Sequence, residues 1–141
     1  SLNGVINTAA VRDEGTTISY VPLAYPAVAD RHVVDALARA AKKLGYNFAE
    51  GITHSKDAFY AEIEPDNMPN SDYVKSRWQA WERSNVMCSE MEAAAIFIVS
   101  SIRNCRASAV MAYKKVNLQA AMETAIEGLR ILIEEDKKLG R

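Results

Sequence analysis

The run Ser89-Glu90-Met91-Glu92-Ala93-Ala94-Ala95, continuing into Ile96-Phe97-Ile98-Val99, constrains this chain more than any other stretch. Two carboxylates flank a methionine where a polar segment turns into an apolar helix of small residues. A helix predicted from Glu90 to about Ile102 places both at its N-terminus, where negative charge meets unpaired backbone amides. Ligand hydroxyl groups can be held at such a place. The same pattern fits plain helix capping, with Ser89 as N-cap and both glutamates in the favoured first turn. On helix chemistry alone capping is the stronger reading, so the rest of the chain must decide.

With 141 residues, 49% hydrophobic and 25% charged, one domain spanning 1–141 around a single core is expected. The net charge of -1 supplies no basic field, which argues against nucleic acid as a partner. No apolar run reaches the roughly 18 residues of a membrane span, and no signal-peptide pattern opens the sequence. Cys88 and Cys105 have neither CxxC nor histidine spacing, so a buried reduced pair is expected rather than a disulfide or a metal site. A cytoplasmic protein follows.

Leu2-Asn3-Gly4 leads directly into the strand pattern Val5 to Val11, without an initiator methionine or a preceding element to pair with, as expected of a piece of a longer chain. Arg12 to Gly15 has turn chemistry, and Thr16 to Val21 alternates like a second, partly exposed strand. Asp30 is a candidate N-cap for a helix whose apolar positions run from Val33 to Leu44 and which Gly45 ends. His32, in its first turn, is expected to be exposed. Phe48 to His54 is a predicted strand, followed by the loop Ser55-Lys56-Asp57-Ala58-Phe59-Tyr60; such loops are where α/β proteins bind ligands. Glu64 to Asn70 is irregular. Ser71 to Ser84 is a helix with Val74, Trp78 and Trp81 as a packing stripe. After the apolar helix come a buried strand, Ala107 to Tyr113, and a long amphipathic helix, Gln119 to Lys138.

Alternating strands and helices predict an α/β sheet covered by helices. No glycine-rich phosphate loop, no nucleophile with an adjacent base, and no metal-ligand spacing is present. Neither a simple hydrolase nor a nucleoside-triphosphate enzyme fits.

Three runs, Ala9-Ala10-Val11-Arg12-Asp13-Glu14-Gly15-Thr16, Ser55-Lys56-Asp57-Ala58-Phe59-Tyr60 and Ser89-Glu90-Met91-Glu92-Ala93-Ala94, occur in an order and spacing that resemble bacterial uridine phosphorylases of the nucleoside phosphorylase superfamily. The third is the most specific. The resemblance covers nearly all of the chain but only the C-terminal portion, somewhat over half, of a full family member. It implies an incomplete three-layer α/β/α sandwich whose N-terminal strands are missing, and a homo-oligomer, a dimer or a hexamer built from dimers.

The implied chemistry is reversible phosphorolysis, in which inorganic phosphate attacks C1′ of a nucleoside and displaces the base, leaving ribose 1-phosphate. The transition state is oxocarbenium-like and needs no covalent nucleophile and no cofactor, only positioning and charge stabilisation. By resemblance Glu92 accepts hydrogen bonds from the ribose hydroxyls, Met91 packs on the sugar, Glu90 shapes the pocket, and Phe59 packs on base or ribose. Core packing is an equal reading for Phe59. His54 is a lesser candidate, expected to be structural.

Departures accompany the resemblance. The family's phosphate-binding glycine and arginines belong to the N-terminal portion. Glu62 stands where the base-reading loop usually has glutamine, with no arginine nearby, and a carboxylate lacks the amide donor that uracil needs. Lys114 to Asn117 is much shorter than the family's base-pocket segment. Three readings follow: a fragment of a uridine phosphorylase-like enzyme, a non-catalytic nucleoside- or ribose-binding or structural module derived from that family, and an unrelated α/β domain, the least supported of them.

Overall fold

Most period-2 apolar runs become strands, and the long 3.6-period runs become helices. The computed structural model, which describes residues 1–141, gathers the strands into one mixed five-stranded sheet. Strand β1 (Gly4–Asp13) lies at its centre. On one side it pairs in parallel with β3 (Phe48–Lys56), which pairs in parallel with β4 (Cys88–Glu90). On its other side β1 pairs antiparallel with β5 (Ala109–Ala112) through Gly4 to Asn7, and with β2 (Ala27–Val28) through Ala9 and Ala10. The partners of β1 all lie later in the chain.

Helix α1 (Arg31–Leu44) forms as the sequence predicts. Asp30 Oδ1 accepts the amides of His32 and Val33 at 2.9 and 3.1 Å, and Gly45 closes the helix at φ 75°. Helix α5 (Leu118–Leu139) crosses it closely at Gly128, where a Cβ would come within 2.9 Å of the Leu37 side chain. Helix α4 (Ala93–Ile102) lies against β1, β2 and β3, and its Ala93, Ala94, Phe97 and Ile98 close a core with Ala10, Ala27 and Ala29. The expected α/β architecture is present.

Local differences have physical causes. Thr16 to Val21 is no strand: Thr17–Ser19 forms a 3₁₀ turn, because the Glu14 carboxylate takes the amides of Thr16 and Thr17 and the Thr17 hydroxyl. Arg12 then ties the returning loop, donating to the carbonyls of Val21, Pro22, Leu23 and Tyr25. β3 runs on to Lys56, and Phe59–Ile63 is a short helix, α2, where a loop is expected. Helix α3 (Ser71–Arg83) buries none of its residues fully. β5 is shorter than expected and half-buried, and one flank of α4, with Ile96 and Ile102, is exposed. His32 is exposed as expected. Cys88 is half-buried and Cys105 exposed, both free, so the cysteines are not a buried pair.

Most consequential is the boundary near residue 90. Cys88–Glu90 is a strand in register with Thr53–Ser55, and the helix starts at Ala93 rather than Glu90. Backbone pairing thus takes the segment that helix periodicity alone assigns to a first turn. Strand alternation sorts the neighbouring side chains onto two sheet faces. Thr53, Ser55, Cys88 and Glu90 share the face under α4; His54, Lys56 and Ser89 take the opposite one.

Candidate functional site

Glu90 ends β4 pointing under the start of α4, and both of its oxygens are engaged. Oε1 accepts the hydroxyls of Ser55 and Thr53 at 2.6 and 3.0 Å. Oε2 accepts the amides of Glu92 and Ala93, each at 2.6 Å. Ser55 Oγ also accepts the buried Ala94 amide at 2.9 Å. Glu90, two residues ahead of the N-cap, therefore does the capping; Ser89 lies on the other face. Since the amides of residues 92 to 94 already have acceptors, this helix start offers no open anion site. Cys88, beside this carboxylate, has its thiol pKa raised, first by burial and then by the Glu90 charge.

Glu92 and Met91, by contrast, face solvent. The only hydrogen bond of the Glu92 carboxylate is from the neighbouring Met91 amide at 3.1 Å, which leaves Oε1 open. Because Ser55 and Glu90 are register partners in parallel strands, the turn to Phe59 and the turn holding Met91 and Glu92 leave the sheet side by side. This is the C-terminal edge of the strands, where open α/β sheets hold ligands. Phe59 is half exposed there and packs edge-on against Tyr60 at 5.6 Å, so it is no core residue.

The opposite face carries a different constellation. Lys56 donates to Ser89 Oγ at 2.7 Å and is ion-paired with Glu62, which also accepts from Ser89 at 2.8 Å. The structure thus turns Glu62 toward Lys56, away from the face that holds Glu90. His54 is buried between Trp78 and Trp81, with ring centroids 5.8 Å from each, and its Nε2 meets Asp13 at 2.8 Å while Arg77 holds the other Asp13 oxygen. These residues wall a cleft of about 650 Å3 under α3. Every charged side chain lining it has a partner within the protein: Asp13 with His54 and Arg77, Lys56 with Glu62, Lys75 with Asp66, Asp57 with the Gly15 amide, Glu82 with Trp78. His54 Nδ1 and Trp81 Nε1 lack partners but are sealed from solvent. The cleft is roomy but offers a ligand few free polar groups. His54 is buried and paired with Asp13, and the tryptophans pack on it.

The arrangement at the strand ends coincides with two of the three runs singled out in the sequence, and comparison with known proteins gives the family. The family model of the phosphorylase superfamily matches residues 4–132. The chain belongs to the phosphorylase superfamily. This phosphorylase-superfamily chain is similar to the uridine phosphorylase of Treponema pallidum, with 36% identity over 94% of this chain and 57% of the relative. It is 35% identical to the uridine phosphorylase of Thermococcus kodakarensis, over 97% of this chain and 53% of that protein. A guanosine phosphorylase of Halorubrum lacusprofundi is 33% identical over 75% of this chain and 39% of its own length. The chain therefore spans somewhat over half the length of these two uridine phosphorylases. The family and its α/β fold are as the sequence motifs imply.

Within this superfamily member, sequence reasoning names the residues of the Glu90 to Glu92 turn but misses what holds them. Thr53 and Ser55 are the missed partners. The available signal is that alternate β3 residues are hydroxyl-bearing just before the aromatic run, which places them together on one face.

Proposed function

We propose that this chain carries the nucleoside-holding part of a uridine phosphorylase-like enzyme, in which inorganic phosphate cleaves a nucleoside to a free base and ribose 1-phosphate. The observation that carries this reading is Glu92: an exposed carboxylate with one open oxygen, beside Met91, next to the turn of Phe59. Two acceptor oxygens suit two vicinal hydroxyls, and such charge-assisted bonds are stronger than neutral ones. Met91 then packs on the sugar and Phe59 on the base or ribose, while Glu90 shapes the pocket from below by fixing the turn.

In the reaction a phosphate oxygen forms a bond to C1′ as the glycosidic bond breaks. The bonding pair leaves with the base, which takes up a proton. Glu92 contributes by fixing the ribose so that C1′ faces the incoming phosphate, an orientation effect, and its charge favours the developing cation. We place the phosphate ligands in a portion of the complete enzyme beyond these residues, and the activity in the cytoplasm; the two free thiols fit a reducing compartment.

A second reading is a module that holds a nucleoside without turning it over. It is favoured by Glu62, whose engagement with Lys56 and Ser89 leaves it unavailable to read a base. The base is a proposal of its own: uridine is supported by the names of the Treponema and Thermococcus relatives, and purine nucleosides by that of the Halorubrum relative.

The test combines the intact mass of the purified protein with a phosphate-dependent uridine cleavage assay on the same sample, and calorimetric uridine titration of Glu92→Ala. Turnover by a molecule heavier than 15.6 kDa supports the enzyme reading. Binding without turnover at that mass supports the module. Uridine affinity unchanged in Glu92→Ala would sink the ribose assignment in both.

A further inference from the structure

We propose that Ser55 is a positioning residue for the nucleoside site, acting through the Met91–Glu92 turn without touching the ligand; this rests on the ribose reading of Glu92. Ser55 is fully buried, so it cannot itself meet a ligand. Its hydroxyl makes two bonds at once. It donates to Glu90 Oε1 at 2.6 Å and accepts the Ala94 amide at 2.9 Å, a pairing that uses its single proton and one lone pair. Glu90, so held, fastens the amides of Glu92 and Ala93 through its other oxygen. Three successive amides at the start of α4 are therefore tied to β3, that of Ala94 directly by the Ser55 hydroxyl and those of Glu92 and Ala93 through the Glu90 that Ser55 holds together with Thr53. The first of them belongs to the residue that carries the Glu92 carboxylate.

Thr53 does not duplicate this. It reaches Glu90 Oε1 at 3.0 Å but makes no bond to the helix. Without the Ser55 hydroxyl, Glu90 keeps Thr53 and the Ala94 amide loses its acceptor. The turn loosens locally while the strand pairing of β3 with β1 and β4 remains. Since productive gripping of two ribose hydroxyls needs the carboxylate held to within about half an ångström, looseness at the first turn falls on ligand affinity.

A double-mutant cycle separates this role from a merely structural one. Uridine dissociation constants are measured by calorimetry for the wild type, Ser55→Ala, Glu92→Ala and the double variant, with thermal melts of each. The expected result is that Ser55→Ala weakens uridine binding about tenfold where Glu92 is present and less than about twofold where Glu92 is alanine, while its effect on the melting temperature is the same in both backgrounds. Equal loss of affinity in the two backgrounds, or none in either, overturns the proposal and leaves the role of Glu92 standing. Unchanged binding in Glu92→Ala overturns the ribose reading and the proposal with it. If Ser55→Ala does not fold, Ser55→Cys, near in shape and a weaker donor, is measured in the same cycle and read the same way.

Discussion

Four donors hold the carboxylate of Glu90, while that of Glu92 receives one, although the two stand only two residues apart. Strand pairing makes the difference. Glu90 is still in β4 and points beneath the helix, whereas Glu92 lies after the chain has turned out to solvent. Their substitutions should differ accordingly. Glu90→Gln leaves an amide nitrogen facing donors, and stability should fall by about 1–3 kcal/mol in urea unfolding. Glu92→Ala removes an exposed charge at the N-cap position, with an expected change of about 0.3–1 kcal/mol. Equal losses would mean that the network around Glu90 carries no weight. The cysteines divide in the same way: Cys105 is exposed, and Cys88 has its thiol pKa raised by burial and by Glu90. Iodoacetamide at neutral pH should label Cys105 first and Cys88 slowly, read by peptide mass spectrometry.

At the scale of elements, α1, α5, β1 and the body of α4 were legible because long apolar runs carry them, and around α1 the caps Asp30 and Gly45 agree with the run. Elements held by particular hydrogen bonds rather than by a periodic apolar face were not. The 3₁₀ turn at Thr17 depends on Glu14 and Arg12, and β4 exists because three residues find β3 as a partner; neither leaves a periodic trace. The site follows the same division: the Glu90 to Glu92 turn stands out in sequence, while Ser55 and Thr53 acquire meaning only from sheet register. Between α1 and α5, Gly128→Ala would press a methyl into Leu37, and a loss of about 1–3 kcal/mol is expected in thermal unfolding. Nearby, Lys43 bonds Glu127 and holds its pKa below the usual value of 4.5 against the opposing effect of burial. A carboxylate with a depressed folded pKa stabilises above its unfolded pKa, and the gain disappears as pH falls through the folded one. The stability advantage of the wild type over Glu127→Gln should therefore be full at neutral pH and shrink as pH drops below 4.5, followed by melts across that range.

Over the whole molecule, no helix is long and apolar enough to cross a membrane, yet a line of large apolar side chains faces outward. Leu118, Met122, Ile126, Leu129 and Ile133 recur every three or four residues along α5, on the side away from α1, and each is about half exposed. A monomer rarely presents so continuous a stripe to water. The opposite side of the same helix is filled by Ala120, Ala121, Thr124, Gly128 and Leu132, so residues 1–141 leave the outer side of α5 uncovered. A second copy can cover the stripe, because a helix face that meets itself across a two-fold axis matches its own pattern. Homo-oligomerisation is what the family resemblance implies, and the stripe is a surface on which it can be tested. Sedimentation velocity over a concentration series should show a mass that rises with concentration for the wild type. Ile126→Glu and Leu129→Glu together, each placing a charge on an exposed position, should hold the protein at the mass of one chain without lowering its melting temperature at high dilution. A concentration-independent mass for the wild type would contradict self-association through α5, as would continued association of the double variant.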